Sequence, residues 1–195
     1  MRVKICGITN YEDAMLCVKS GADAVGFIFY PHSPRFISVN NAKNISIKLP
    51  PFITKTGVFV NESAQVINAV CKEAKIDLAQ IHFDADDDLL SKLEVPFIRV
   101  VRAKEKKDIH KLASSYRLID AFTQKYGGEG KGVDLSWFDG VDCSKIILAG
   151  GLYADMLEDI KRFGFYGVDV NSGVELSYGK KDAQKIVKFI KSAKS

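Results

Sequence analysis

Long apolar runs are missing from this chain of 195 residues. No stretch approaches the ~18 consecutive apolar residues that a membrane-spanning helix needs. The N-terminus also lacks a charged segment followed by an apolar one, since Lys4 and the polar residues after Cys6 interrupt the pattern of a signal peptide. These absences predict a cytoplasmic protein that does not bind membranes.

Cysteine is scarce and scattered. Cys6, Cys17, Cys71 and Cys143 lie far apart, and no C-x-x-C pair occurs. In a reducing compartment such spacing indicates neither a disulfide framework nor a zinc site, so we expect no bound metal. Cys6, at the end of the first apolar segment, keeps two interpretations, which are a buried core residue and a reactive thiolate.

A large excess of charge of one sign is also missing. The 28 Lys and Arg residues exceed the 24 Asp and Glu residues by only 4. The lysines are spread over predicted helix faces and the C-terminal tail, which is typical of a solvated surface, with attraction to an anionic ligand as the alternative. No basic patch is interleaved with aromatic residues, so we expect no nucleic-acid partner.

What the sequence does contain is a regular alternation of β-prone apolar runs with segments of helical spacing. The runs cover residues 2–6, 24–29, 56–60, 78–82, 96–101, 117–120, 145–149 and 167–170. The alternation predicts an α/β fold with a parallel sheet covered by helices. Eight repeats predict closure into a single (β/α)8 TIM barrel over residues 1–195, whose loops must be short because such barrels typically have about 250 residues.

Two segments fit this pattern less well, and one other fold competes with it. A helix in 38–50 has to end before Pro50, and 132–144 is short and irregular. A flavodoxin-like open sheet is the alternative, but it needs only about five strands and would leave three runs without a place.

Polar residues follow several of the predicted strands, at the ends where barrels place their catalytic groups. These strand ends are Cys6, Gln80 with His82, Asp120, Gly150-Gly151 and Asp169 through Gly173. Because side chains alternate along a strand, Lys4 and Cys6 share a face. If Cys6 faces the mouth, Lys4 lies inside the barrel below it, where it needs a carboxylate partner.

Several blocks of sequence carry a family resemblance that spans nearly the whole chain. They are Lys4-Ile5-Cys6-Gly7-Ile8-Thr9, 21–27, Ser33-Pro34-Arg35, 57–61, Gln80-Ile81-His82, Leu118-Ile119-Asp120, 148–152 and 169–175. In this order they resemble phosphoribosylanthranilate isomerase, an enzyme family of tryptophan biosynthesis. The resemblance implies a monomeric (β/α)8 barrel without metal or cofactor, acting on a small phosphorylated substrate.

The activity that the resemblance implies is an Amadori rearrangement. N-(5-phosphoribosyl)anthranilate becomes 1-(2-carboxyphenylamino)-1-deoxyribulose 5-phosphate by general acid–base catalysis. The acid protonates the ring oxygen and the base removes the proton from C2, and the family's positions for base and acid match Cys6 and Asp120. The working form of Cys6 is the thiolate, which the charge of Lys4 is expected to favour. Asp120 has to hold a proton, so we expect a pKa above its ordinary value of about 3.9.

The resemblance also implies how the two anionic ends of the substrate are bound. Arg35 matches the residue that binds the anthranilate carboxylate, for which a planar guanidinium is well suited. The phosphate is expected at Gly150, Gly151, Ser172 and Gly173, where glycine lets backbone N–H groups approach closely. Gln80 and His82 are expected to line the mouth. Asp169 has two candidate roles, which are contact with the sugar hydroxyls and pairing with Lys4.

Two departures from the family pattern affect loops. Phe83 stands where the family usually has glycine, and a phenylalanine does not readily adopt positive φ, so the loop after strand 4 is expected to differ. Glu129 stands between Gly128 and Gly130 in the predicted lid after strand 6, where a small neutral residue is usual. Its charge is expected to repel an anionic substrate unless a lysine such as Lys131 pairs with it.

Three other functions compete with this assignment. The isomerase of histidine synthesis uses aspartates at the ends of strands 1 and 5, where this chain has Cys6 and Arg102. Indole-glycerol-phosphate synthase needs buried lysines at strand ends, and only Lys4 qualifies. A non-catalytic phosphosugar-binding barrel would have no use for a thiol placed opposite an aspartate.

Overall fold

A computed structural model of the chain describes residues 1–121 and 134–195. The glycine-rich segment that contains Gly127, Gly128, Glu129 and Gly130 lies outside the described residues, so the expectations for a lid and for Glu129 stay predictions. Within the described residues, no helix has both the length and the apolar character needed to cross a membrane.

Eight parallel strands close into a barrel in sequence order, and the last strand pairs with the first. They are β1 Arg2–Ile5, β2 Ala24–Ile28, β3 Thr54–Phe59, β4 Leu78–Ile81, β5 Phe97–Ala103, β6 Arg117–Ala121, β7 Ile146–Leu148 and β8 Gly167–Val170. A hairpin of β9 Glu175–Ser177 and β10 Lys180–Lys181 follows β8. The predicted (β/α)8 TIM barrel is therefore confirmed.

Six α-helices accompany the strands in the part of the chain that the structure describes. They are α1 Tyr11–Lys19, α2 Val39–Ser46, α3 Ala64–Ala74, α4 Asp87–Ser91, α5 Leu157–Lys161 and α6 Ala183–Lys194. Five of them begin after a side chain that accepts a hydrogen bond from a backbone N–H in the first turn, the usual way to satisfy a helix N-terminus. These capping residues are Asn10, Ser38, Ser63, Asp86 and Asp182.

The two segments that fitted the alternation least well behave as their sequences indicate. Helix α2 ends at Ser46, before Pro50, as the position of that proline requires. Between residues 134 and 144 the only helical structure is one turn of 3-10 helix, Leu135–Phe138.

Phe83 does not have positive φ, so the loop after β4 avoids the conformation that a glycine would allow.

Side-chain alternation divides the apolar residues into two clusters. The larger cluster fills the layer between barrel and helices, with Ile5, Phe27 and Ile119 among its fully buried members. The smaller one lies inside the barrel and consists of Ile98, Val100, Leu118 and Ala149 from β5, β6 and the end of β7. Lys4 on β1, Thr56 on β3, Gln80 on β4 and Asp169 on β8 are buried polar side chains. Three of them, Lys4, Gln80 and Asp169, belong to the site at the mouth.

Candidate active site

Cys6 lies directly after β1, and its N–H donates to Val170 O at 2.8 Å. Two residues earlier on the same face, the Lys4 Nζ donates to both carboxylate oxygens of Asp169, each at 2.9 Å. Both partners of this ion pair are buried. The expectation that Lys4 points inward and meets a carboxylate is confirmed, and Asp169 is that carboxylate.

Gly26 on β2 provides the space that this arrangement needs. A Cβ added to Gly26 would lie 2.9 Å from the Cys6 Sγ and 3.1 Å from the Lys4 Nζ. A Cβ at 2.9 Å from sulfur would overlap it, so a side chain at this position would displace the thiol or the ammonium group. Only glycine lets Cys6 and Lys4 share this part of the barrel.

Burial and charge act on the Cys6 thiol in opposite directions. Burial raises the pKa of Cys6, the ammonium groups of Lys4 and Lys181 lower it, and the net effect is a pKa above the ordinary value. For Lys4, burial acts to lower the pKa, but Asp169 and Cys6 raise it above the ordinary value, so the ammonium stays charged. The effect of Lys4 therefore has the expected direction, but desolvation outweighs it and the resting form at neutral pH is the thiol.

Asp120 on β6 lies near His82, which directly follows β4. The His82 Nε2 is 3.7 Å from the Asp120 Oδ2, and the Gln80 Nε2 is 3.4 Å from the His82 Nδ1. Burial, together with the charges of Arg102 and Lys4, lowers the pKa of His82 to about 4. The imidazole is consequently neutral at pH 7, and its contact with Asp120 is not an ion pair at that pH.

Arg102 is a site residue that sequence reasoning did not assign to the site. It lies on β5 directly opposite Asp120 on β6 in the strand register. The alternation of side chains along β5 is the sequence feature that indicates this position, because Arg102 shares a face with Val100, which is inside the barrel. It brings a positive charge to the same side of the mouth as His82 and Asp120.

Arg35 is buried, unlike an ordinary loop arginine. Its Nε and Nη2 donate to the two carboxylate oxygens of Glu175 at 2.8 and 2.7 Å, and its guanidinium lies over the Tyr178 ring at 4.9 Å. Glu175 closes the sequence block 169–175, but nothing in the local pattern indicated that it would pair with a residue 140 positions away.

The loops after β7 and β8 meet at the glycine pairs that were predicted to bind phosphate. Gly150 and Gly151 have φ of +88° and +64°, which favour glycine. A Cβ on Gly173 would lie 1.9 Å from the Leu152 carbonyl oxygen, so only glycine allows the two loops to touch. In the described part of the chain, the backbone N–H groups of Gly150, Gly151, Ser172 and Gly173 donate no hydrogen bond. This leaves four donors available to an anion.

The buried pair of Lys4 and Asp169 gives a testable consequence for stability. Lys4→Met is expected to lower the free energy of unfolding by about 3–5 kcal/mol, because Asp169 loses its counter-charge while it stays buried. Lys43→Met, which removes an exposed ion pair with Glu73, is the matched control and is expected to cost no more than about 1 kcal/mol. Urea unfolding of both variants measures the difference, and equal losses would contradict the assigned role of Lys4.

Comparison with known proteins identifies the family of this chain. The family model described as N-(5'phosphoribosyl)anthranilate (PRA) isomerase matches residues 3–192. The chain belongs to the N-(5'-phosphoribosyl)anthranilate isomerase family. A member of this family from a Sulfurovum species is 54% identical over 195 residues, covering 100% of both chains. One from a Nitratiruptor species is 52% identical over 194 residues, covering 100% of this chain and 99% of the relative.

Solved structures of phosphoribosylanthranilate isomerases have the same fold. The crystal structure from Thermotoga maritima superimposes with a TM-score of 0.88 at 41% identity, covering 100% of this chain and 98% of the other. A phosphoribosylanthranilate isomerase in complex with reduced 1-(o-carboxyphenylamino)-1-deoxyribulose 5-phosphate gives a TM-score of 0.84 at 39% identity, with the same coverage.

Proposed function

We infer that this protein converts N-(5'-phosphoribosyl)anthranilate into 1-(2-carboxyphenylamino)-1-deoxyribulose 5-phosphate in tryptophan biosynthesis. The single observation that carries this conclusion is the family match over residues 3–192. The geometry of the mouth supports it, since Cys6 and Asp120 lie at strand ends of one barrel mouth, where such folds carry out their chemistry.

In the first step of the reaction, Asp120 is proposed to act as the general acid. It transfers its proton to the ring oxygen, the C–O bond of the ring breaks, and the anthranilate nitrogen supplies the electron pair that forms an iminium ion. His82 does not compete as the proton donor, because a group with a pKa of about 4 is not protonated at pH 7. Its contact with Asp120 suits it to orient the carboxyl group.

In the second step, Cys6 is proposed to act as the general base on C2. The iminium ion acidifies the C2 proton, the thiolate accepts that proton, and the resulting enolamine tautomerises to the ketone. The raised pKa of Cys6 makes the thiolate a stronger base once it has formed, at the cost of a smaller thiolate fraction at neutral pH. Lys4, held by Asp169, places a fixed positive charge near the sulfur.

Arg35 and the glycine turns are proposed to hold the two ends of the substrate. Glu175 occupies the Nε–Nη2 edge of the Arg35 guanidinium, and the Nη1–Nη2 end keeps the fork geometry that a carboxylate accepts. The N–H groups around Gly150 and Ser172, which donate to none of the described residues, suit a phosphate, which commonly binds barrels at the loops after strands 7 and 8. Both Asp169 oxygens accept from Lys4, and each keeps a lone pair for a sugar hydroxyl.

Turnover of the substrate tests the proposed function directly. Freshly prepared phosphoribosylanthranilate is mixed with the purified protein, and its fluorescence is followed as it is consumed. We expect the signal to fall in proportion to protein concentration, without added metal or cofactor. Binding of the substrate without any turnover would instead favour a non-catalytic phosphosugar-binding barrel.

Oligomeric state and location stay predictions, and the sequence favours a monomer in the cytoplasm. Phe52, which follows Pro50 and Pro51, is 99% exposed. An exposed aromatic ring of this kind instead favours a contact between two copies of the chain. A relative from Thermotoga maritima is described as dimeric, with monomers generated from it. Light scattering on the purified protein decides between the mass of one chain and that of two.

A further inference from the structure

Lys181, on β10, is a buried lysine that the reaction steps above do not use. Its side chain is fully buried. The ammonium group donates to the Asn171 carbonyl oxygen at 3.2 Å, to the Asn171 Oδ1 at 3.0 Å and to the Glu175 Oε1 at 3.1 Å. A lysine has three N–H donors, so all of them are used and the group is held in one position.

The Glu175 carboxylate, which accepts a hydrogen bond from Lys181, also binds Arg35. The Glu175 Oε1 accepts from Lys181, from the Arg35 Nε and from the Gly179 N–H, while the Oε2 accepts from the Arg35 Nη2. Two cations and one backbone donor thus converge on one buried carboxylate. The orientation of Arg35 consequently depends on a group that Lys181 also fixes.

The other partner of Lys181 is Asn171, which begins the loop that is proposed to bind phosphate. Asn171 immediately precedes Ser172, and its carbonyl oxygen also accepts from the Val174 N–H at 3.4 Å, which closes the turn. The Asn171 Oδ1 lies against Gly7, where an added Cβ would be 2.6 Å from it. Lys181 therefore binds both the main chain and the side chain of the residue at which the Ser172-Gly173 turn begins.

We propose that Lys181 is a positioning residue that fixes the two substrate-binding ends of the active site relative to each other. It acts on the carboxylate-binding end through Glu175 and Arg35, and on the phosphate-binding end through Asn171. This inference rests on the proposed function, because it assumes a substrate that is anionic at both ends. The rearrangement needs C2 and the ring oxygen to be placed correctly between those ends, and small misplacements of bound reactants lower rates strongly.

The charge of Lys181 adds a second, electrostatic effect that a purely structural residue would not produce. The charged groups that act on Cys6 are Lys4 on β1, Asp169 on β8 and Lys181 on β10, and the two ammonium groups lower the pKa of the thiol. Without Lys181, the thiolate loses one of its two counter-charges. The pH at which kcat/KM rises should then move upward.

The test compares Lys181→Gln with Lys180→Gln, a matched control on the same strand. Lys180 is exposed, and its side chain makes no hydrogen bond with the described residues. Calorimetry measures the affinities for anthranilate and for inorganic phosphate separately. We expect Lys181→Gln to weaken both by about 10-fold or more, and to shift the rising limb of kcat/KM upward by about half a pH unit. Lys180→Gln should change neither affinity by more than about twofold, as for most exposed sites.

A second variant keeps the inference falsifiable if Lys181→Gln does not fold. Glu175→Gln keeps the shape of the side chain but removes the charge that joins Lys181 to Arg35, and we expect it to weaken anthranilate binding by a similar factor. Unchanged affinities in a folded Lys181→Gln, or in a folded Glu175→Gln, would overturn the proposal, as would the loss of only one of the two affinities in Lys181→Gln. Absence of turnover by the unmodified protein would instead contradict the proposed function, since the binding measurements do not depend on turnover.

Discussion

Cys6→Ser is expected to lower kcat by about 10²–10⁴, the usual contribution of a general base. The hydroxyl of serine occupies less space than the thiol, so the site beside Gly26 keeps its shape. A serine hydroxyl is not deprotonated at any pH at which the protein is folded, so the C2 proton loses its acceptor. Substrate affinity should change little, because Cys6 is not proposed to bind either anionic end.

The matched control for this variant is Cys71→Ser. Cys71 is a buried free cysteine on α3, so the same atom is exchanged away from the barrel mouth. It is expected to leave kcat unchanged even if stability decreases.

The pH profile is a second test of Cys6 as the general base. Because burial raises the pKa of Cys6, kcat/KM of the unmodified protein should still be rising above pH 7, and Cys6→Ser should abolish that rise. Turnover near the normal value in Cys6→Ser would remove Cys6 from the mechanism.

Asp120→Asn is expected to lower kcat by a similar factor of about 10²–10⁴. An asparagine has nearly the shape of aspartic acid and can still face His82 at the mouth. It cannot release a proton to the ring oxygen, so ring opening has to proceed without an acid. Steady-state measurement of kcat and KM is the appropriate readout, because the loss should fall on kcat.

A matched control for Asp120→Asn is Asp142→Asn. Asp142 lies in the segment before β7, where its carboxylate accepts from the Ser144 N–H, and it is at the opposite end of the strands. This variant removes the same charge from the chain, so it tests whether net charge alone changes the rate. A loss of kcat in both variants, or in neither, would contradict the assignment of Asp120 as the acid.

The sequence by itself determined the barrel and the strand ends at which the groups proposed to react lie. Eight β-prone apolar runs, most of them separated by segments of helical spacing, lie along the chain in the order in which the strands pair. Alternation within β1 placed Lys4 and Cys6 on one face, and the strand end at Asp120 followed from the sixth apolar run. These signals are local, because the period of side chains along a strand or helix is a property of a few neighbouring residues.

Only the tertiary structure decided which groups meet and how they are charged. Lys4 pairs with Asp169 across 165 positions because closure of the barrel places β8 beside β1. Arg35 pairs with Glu175 across 140 positions because the same closure brings the segment after β8 against the loop after β2. The protonation of Cys6 and His82 was likewise beyond the sequence. Desolvation dominates both pKa values, and the extent of burial depends on every element that packs around the mouth rather than on adjacent residues.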